Sequence, residues 1–170
     1  SSSPGSFLLE SAEQGVWSRY SFIGVRNFGF LTSGNGLLSW KSSDGVRPFP
    51  LETVSFDGLS DLEGLALIQK SWKAAPVEGL PPLVSGLVGL LGWDTVHQIE
   101  RLAARKPKEM PIPDLAMAVI RDLVVVDHQD STLKLVSNVY LSADSNPEAE
   151  YEVALERISA MRQGLSLIHI

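Results

Sequence analysis

No cysteine occurs in the 170 residues, so disulfides, thiolate metal ligands and cysteine nucleophiles are excluded at the outset. Such a chain suits a reducing compartment, and a cytoplasmic location is expected. Histidine is almost as scarce, with only His97, His128 and His169. None of them pairs at zinc-protease spacing, no serine sits in a nucleophile elbow, and no acidic loop has calcium-binding spacing. Basic residues are outnumbered, 14 against 20 acidic, for a net charge of −6, so the electrostatic footprint of a nucleic-acid binder is missing. The one basic cluster, Arg101, Arg105, Lys106 and Lys108, is bordered by Glu100 and Glu109 and reads as a solvated helix end and loop. Long apolar runs are missing too. The longest, Leu83 to Trp93, is about half of a membrane-spanning length and is interrupted by Gly86, Gly89 and Gly92. No membrane or nucleic-acid partner is expected.

What is present is ordinary globular composition, 44% apolar and 20% charged, in a chain long enough for one real core. Residues 1–6 lack the charged and apolar regions of a signal peptide and read as a flexible lead-in. Residues 7–164 read as one domain, and residues 165–170 as a non-native tail resembling translated vector sequence.

The first third reads as strands: Phe7 to Leu9, Tyr20 to Val25, Phe28 to Thr32 and Leu37 to Lys41. Asn35-Gly36 supplies the hairpin turn between the last two, because both central positions of a type I′ turn need positive φ. Asp44-Gly45 marks another turn, and "RPFP" keeps the chain extended to Pro50. Ser60-Asp61-Leu62-Glu63 matches a capping box and opens a helix with Leu62, Leu65, Ile68 and Trp72 inward. Leu83 to Leu91 is expected as a buried strand, and Asp94 as the cap of a short helix turning Val96, Ile99 and Ala103 inward. A long hairpin follows, with arms Ala116 to Val126 and Thr132 to Leu141. Asn146-Pro147 starts the last helix, with Tyr151, Ala154, Leu155, Ile158 and Met161 on one face and Gly164 as its C′ residue. Strands and helices mix without βαβ alternation, so the fold class is α+β.

Polar constellations are few. Gly86, Gly89 and Gly92 fit neither a Walker loop nor a dinucleotide fingerprint, and are expected to permit close approach within a sheet. Asp94, His97 and Glu100 lie at helical spacing, a row that can hold a metal or support acid–base chemistry. His128 between Asp127 and Asp130 is a second such group. A self-contained metal-dependent enzyme built on Asp94, His97 and Glu100 is one alternative these residues leave open. In "FLLESAEQGVWSRYSFIG", Phe7 to Gly24, a carboxylate, a hydroxyl and a guanidinium (Glu10, Ser11, Arg19) fall between two apolar runs. Loop polarity alone accounts for such a pattern as readily as a site does.

Four segments in order, "FLLESAEQGVWSRYSFIG", "SGLVGLLGWDTVHQIERL", "IPDLAMAVIRDLVVVDH" and "LKLVSNV", resemble the N-terminal region of anthranilate synthase component I. The pairing of "LLES" with "RYSFIG" looks more like that family than like aminodeoxychorismate synthase component I, which shares the architecture and remains an alternative. A stand-alone small-molecule-binding module is another. The resemblance implies a fragment of antiparallel, sandwich-like sheets with helices packed outside, lacking a chorismate-binding catalytic domain. That domain would hold magnesium and every catalytic residue, so none is assigned here. The full enzyme would convert chorismate and ammonia, released by a glutamine amidotransferase subunit, to anthranilate and pyruvate. The resemblance further implies that Glu10, Ser11 and Arg19 belong to the L-tryptophan feedback site. A ligand with an ammonium, a carboxylate and an indole calls for acceptors, donors and apolar walls. The chain departs from the family at Leu90 and Trp93, where tyrosine is common, and at His97, where arginine is common.

Overall fold

The computed structural model describes residues 5–10, 18–34, 37–43, 45, 58–72, 74–75, 77–103 and 110–166. Ser11, Asn35-Gly36, Asp44, the "RPFP" stretch and Arg105 to Lys108 lie outside the described residues. The elements in chain order are β1 (Phe7–Leu9), β2 (Tyr20–Gly34), β3 (Leu37–Ser42), α1 (Asp61–Ser71), β4 (Leu87–Leu91), a 3₁₀ turn (Trp93–Gln98), β5 (Leu115–Asp127), β6 (Thr132–Ser137) and α2 (Pro147–Ser166). Hydrogen bonds order the strands β1-β2-β5-β4, with β3 also on β2 and β6 also on β5. The β1–β2, β2–β3, β4–β5 and β5–β6 ladders are all antiparallel. The chain forms two compact units, and β2 and β5 each contribute one half to both.

The first unit takes Ser1–Asn27, Val77–Gly86 and Ile120–Ile170. Leu9 pairs with Phe22 and Phe7 with Gly24, which seats β1 on the start of β2. The far half of β5 is apolar on both faces. Ile120, Leu123, Val124 and Val125 are all buried, which is why Leu123 to Val126 reads as a continuous apolar run rather than an alternation. β6 pairs with it from Asp122↔Ser137 to Asp127↔Thr132, and α2 packs on β6. The Asn146 side chain accepts from the Glu148 and Ala149 amides (3.1 and 3.3 Å), as its N-cap position requires.

Two expectations for α2 are corrected. The helix runs past Gly164 to Ser166, whose hydroxyl donates to the Gln163 carbonyl (2.8 Å) and satisfies a terminal acceptor. The expected apolar face is also only partly inward. Ala154 is buried, but Tyr151 and Leu155 are exposed. The reason is Arg157, whose guanidinium donates to Ser137 Oγ (2.8 Å) and to the Asn138 carbonyl (2.9 Å). With Arg157 turned toward β6, Leu155 points about 160° away from it around the helix.

The second unit takes Phe28–Pro76 and Leu87–Val119. Its core is Phe28, Leu31, Leu38, Ile68, Leu115 and Val119. The two strands expected over 20–32 are one strand of 15 residues. Gly29 lets it continue: its φ is +151°, and a Cβ there would meet the Trp40 indole at 2.7 Å and the Lys41 carbonyl. Ser60 and Glu63 form the expected capping box, with Ser60 N–H to Glu63 Oε2 at 2.9 Å and Glu63 N–H to Ser60 Oγ at 3.4 Å. The Ser60 amide and the Ser60 hydroxyl, both donating to Glu63 Oε2, hold the Glu63 carboxyl below its ordinary value. The buried line of α1 is Asp61, Gly64 and Ile68, a narrower stripe than the apolar pattern suggests.

The Leu83 to Leu91 segment is corrected most. Strand pairing begins only at Leu87, and Leu90 and Leu91 are exposed on the end strand of the hydrogen-bond order. A short apolar run does not by itself tell a buried strand from an exposed one. Close approach does hold at Gly89, where a Cβ would overlap the Ala116 carbonyl of β5. Asp94 is not a cap: the 3₁₀ turn is preceded by Gly92, and its closing bond runs from Thr95 N–H to the Gly92 carbonyl (3.1 Å). Thr95 is the buried residue of that turn, while Ile99 and Ala103 face out. No helix among the described residues is long and apolar enough to cross a membrane.

Candidate functional site

Arg19 sits immediately before β2, and its partners come from the β5–β6 turn 108 and 111 positions away. Its guanidinium grips Asp127 with both ends of a fork, Nε to Oδ1 at 2.8 Å and Nη2 to Oδ2 at 2.7 Å. Nη2 also donates to Asp130 Oδ2 at 2.7 Å. The Asp127 side chain is fully buried, and the Asp130 side chain is largely exposed. Asp127 Oδ1 accepts as well from the Gln129 and Asp130 amides (3.2 and 3.4 Å), so one carboxylate shapes the turn and holds the arginine. The turn closes through Ser131, whose φ of +51° is the only positive value on a non-glycine among the described residues.

The electrostatics follow from this geometry. The hydrogen bonds from Arg19 hold the Asp127 carboxyl down at about 2, against the opposing effect of burial. In the other direction, Asp127 raises the Arg19 guanidinium above its ordinary value. The guanidinium also lies 5.0 Å from the centre of the Tyr20 ring, and Tyr20 in turn sits 6.0 Å from Phe22. Main chain adds to side chain: the Arg19 carbonyl accepts from the His128 amide at 2.8 Å. Ser21 Oγ and His128 Nε2 are 2.8 Å apart, with the donor set by the imidazole tautomer.

Glu10 is exposed and makes no hydrogen bond or ion pair among the described residues. Glu10 directly follows Leu9, the last residue of β1 to pair with β2, where it faces Phe22. Ser11 lies outside the described residues. Of the three residues singled out from the sequence, the structure thus brings Glu10 and Arg19 to one end of the β1–β2 pair. Asp127, Asp130 and His128, read from the sequence as a possible metal group, are instead the partners of Arg19 and Ser21. Only their acidic and imidazole character was visible in "DHQDS", and nothing local announces a partner so distant in sequence.

Among the described residues no three His, Asp or Glu side chains gather as a metal ion requires, so Asp94, His97 and Glu100 do not form such a centre. Among the described residues no third group orients the base of the Ser21–His128 pair as a nucleophilic dyad needs, and Ser21 is buried. What this cluster can do is hold backbone in place and set the local charge. A second polar cluster, around Asp122, joins β5, β6 and α2. Asp122 Oδ1 accepts from Ser137 Oγ at 2.7 Å and faces Arg157 Nε at 3.6 Å, while Oδ2 faces Arg121 Nε at 3.5 Å.

Comparison with known proteins adds what this geometry alone does not. Anthranilate synthase component 1 of Arthrobacter globiformis is 34% identical over 166 residues, 97% of this chain. The protein of the same name from Mycolicibacterium smegmatis is 34% identical over 165 residues, 95% of the chain. The chain is a homologue of anthranilate synthase component 1. It spans about 30% of the length of these curated relatives. The crystal structure of anthranilate synthase component I from Streptococcus pneumoniae TIGR4 shares its fold over 90% of the chain, with a TM-score of 0.56 at 17% identity, and the chain covers 32% of that structure. No family model matches the chain.

Proposed function

We propose that the chain is the N-terminal regulatory and scaffolding part of an anthranilate synthase component I acting in tryptophan biosynthesis in the cytoplasm. The whole enzyme turns chorismate, with ammonia released from glutamine by an amidotransferase subunit, into anthranilate and pyruvate. The observation that carries this reading is the 34% identity sustained over 97% of the chain. Chorismate and magnesium belong to a further domain. In this reading the 170-residue chain is inactive by itself. The antiparallel sheet and its helices form one part of a sandwich that the further domain completes.

In this reading Glu10, Ser11 and Arg19 belong to the L-tryptophan feedback site. The carboxylate of Glu10, without a partner among the described residues, suits the ligand's ammonium, and the Ser11 hydroxyl can donate or accept. Inhibition then works by a difference in affinity between two arrangements of the enzyme, typically about 1–3 kcal/mol. The test is a chimera in which this chain replaces the matching segment of the Arthrobacter globiformis enzyme, assayed for anthranilate. Ser11→Ala and Ser11→Arg should raise the half-inhibiting tryptophan concentration by about tenfold and leave uninhibited turnover within about twofold. Unchanged inhibition in both variants would remove Ser11 from the effector site.

A further inference from the structure

A guanidinium that is to receive a ligand carboxylate needs charge to spare. At Arg19 two carboxylates face one guanidinium at 2.7–2.8 Å, leaving a negative charge over. Asp127 cannot step aside for a ligand, because its buried carboxylate would then lose the counter-charge that Arg19 supplies. The main chain of Arg19 is held by the same turn through the His128 amide, and Ser21, two residues on, is held by the His128 ring. The register of β1 on β2 then carries that placement to Glu10, which follows the Leu9↔Phe22 pair.

We propose that Arg19 is a positioning residue, not a ligand contact. It pins the start of β2 to the β5–β6 turn, and the register built on that strand sets where Glu10 presents its carboxylate. Asp127 and Asp130 therefore bear on the tryptophan response through Arg19. The part of this proposal that concerns tryptophan rests on the feedback-site reading; the part that concerns the pinned strand does not.

Two measurements separate them, hydrogen exchange on the 170-residue chain and tryptophan titration of the chimera described above. The first needs no ligand: hydrogen exchange at the His128 amide, which donates to the Arg19 carbonyl. Arg19→Met and Asp127→Asn should speed it by about tenfold or more, and Asp130→Asn by about threefold. The Leu123 and Val125 amides should keep their wild-type rates. Arg19→Lys should recover only part of the protection, since an ammonium cannot reproduce the two-ended grip. Should Asp127→Asn unfold the chain, seen as lost protection at Leu123, the exposed Asp130→Asn still decides. An unchanged His128 rate in Arg19→Met and Asp130→Asn overturns the proposal.

The second measurement is titration with L-tryptophan, where the sign of the Asp130→Asn effect decides. If Arg19 touched the ligand carboxylate, removing Asp130 would free Nη2 and tighten binding. As a positioning residue, Arg19 loses a support, and binding weakens by about threefold or more. Tighter binding overturns the proposal. Absence of tryptophan binding in the unsubstituted chimera counts against the feedback-site reading and leaves the exchange measurement to judge the pin.

Discussion

Arg157→Met tests whether α2 is held by polar contacts or by its apolar stripe. The helix buries only Ala154 completely, while Tyr151, Val153 and Leu155 are exposed. Arg157 supplies hydrogen bonds to Ser137 Oγ at 2.8 Å and the Asn138 carbonyl at 2.9 Å, and a cation 3.6 Å from Asp122. Methionine keeps much of the stem's apolar contact and removes all three polar contacts. Stripping one partner from a buried ion pair typically costs about 3–5 kcal/mol. Here Arg121 stays 3.5 Å from the same carboxylate and Ser137 still donates to it, which reduces the cost below that range, to about 2–3 kcal/mol. That corresponds to a fall of about 4–12 °C in melting temperature for a chain of this size. Urea unfolding followed by circular dichroism would read it, and hydrogen exchange would show α2 opening ahead of β5 and β6. In the Asp122→Asn background the same substitution should cost less, since the charge it strands is gone. A loss below about 0.5 kcal/mol would show that the stripe through Ala154, Ile158 and Met161 holds α2 unaided.

Three further outcomes are expected. Ile68 is fully buried on α1, and Ile68→Ala should destabilise the chain by about 2–5 kcal/mol in the same urea assay. Gly89→Ala places a Cβ against the Ala116 carbonyl, so it should separate β4 from β5; faster exchange at the Gly92 amide, which bonds Asp114, would report it. Because the Asp127 carboxyl is held at about 2, below its ordinary 3.8, its contribution to stability is complete above about pH 4 and is lost as pH falls toward 2. Acid titrations of the wild type and Asp127→Asn should therefore differ most in slope between pH 4 and 2, and parallel curves there would refute the pairing.

Local chemistry was legible in the sequence, and distant chemistry was not. Ser60 with Glu63, and Asn146 with Pro147, act on amides a turn away, so the helix starts could be read directly. The β5–β6 hairpin was equally plain, because its two apolar runs flank one polar turn. By contrast, the continuity of β2 depends on Trp40 lying over Gly29, a contact made across the sheet. The exposure of β4 depends on what fails to cover it, which no periodicity encodes. The facing of α2 follows from Arg157 reaching Ser137, against the apolar pattern of the helix itself. At the candidate site, the residues of the first segment were picked out by their polarity, but the role of Arg19 turns on acids 108 and 111 positions later.

The long sequence separation between Arg19 and its acids has a consequence for recombination among homologues. Any single crossover placed between residue 19 and residue 127 splits the arginine from Asp127, however well the breakpoint respects strand boundaries. A hybrid that inherits the arginine alone carries an unanswered cation at the start of β2. One that inherits the acid alone carries a buried carboxylate with no counter-charge. Shuffled libraries of this chain should accordingly be enriched, among folded members, for clones whose first two dozen residues and β5–β6 turn come from the same parent.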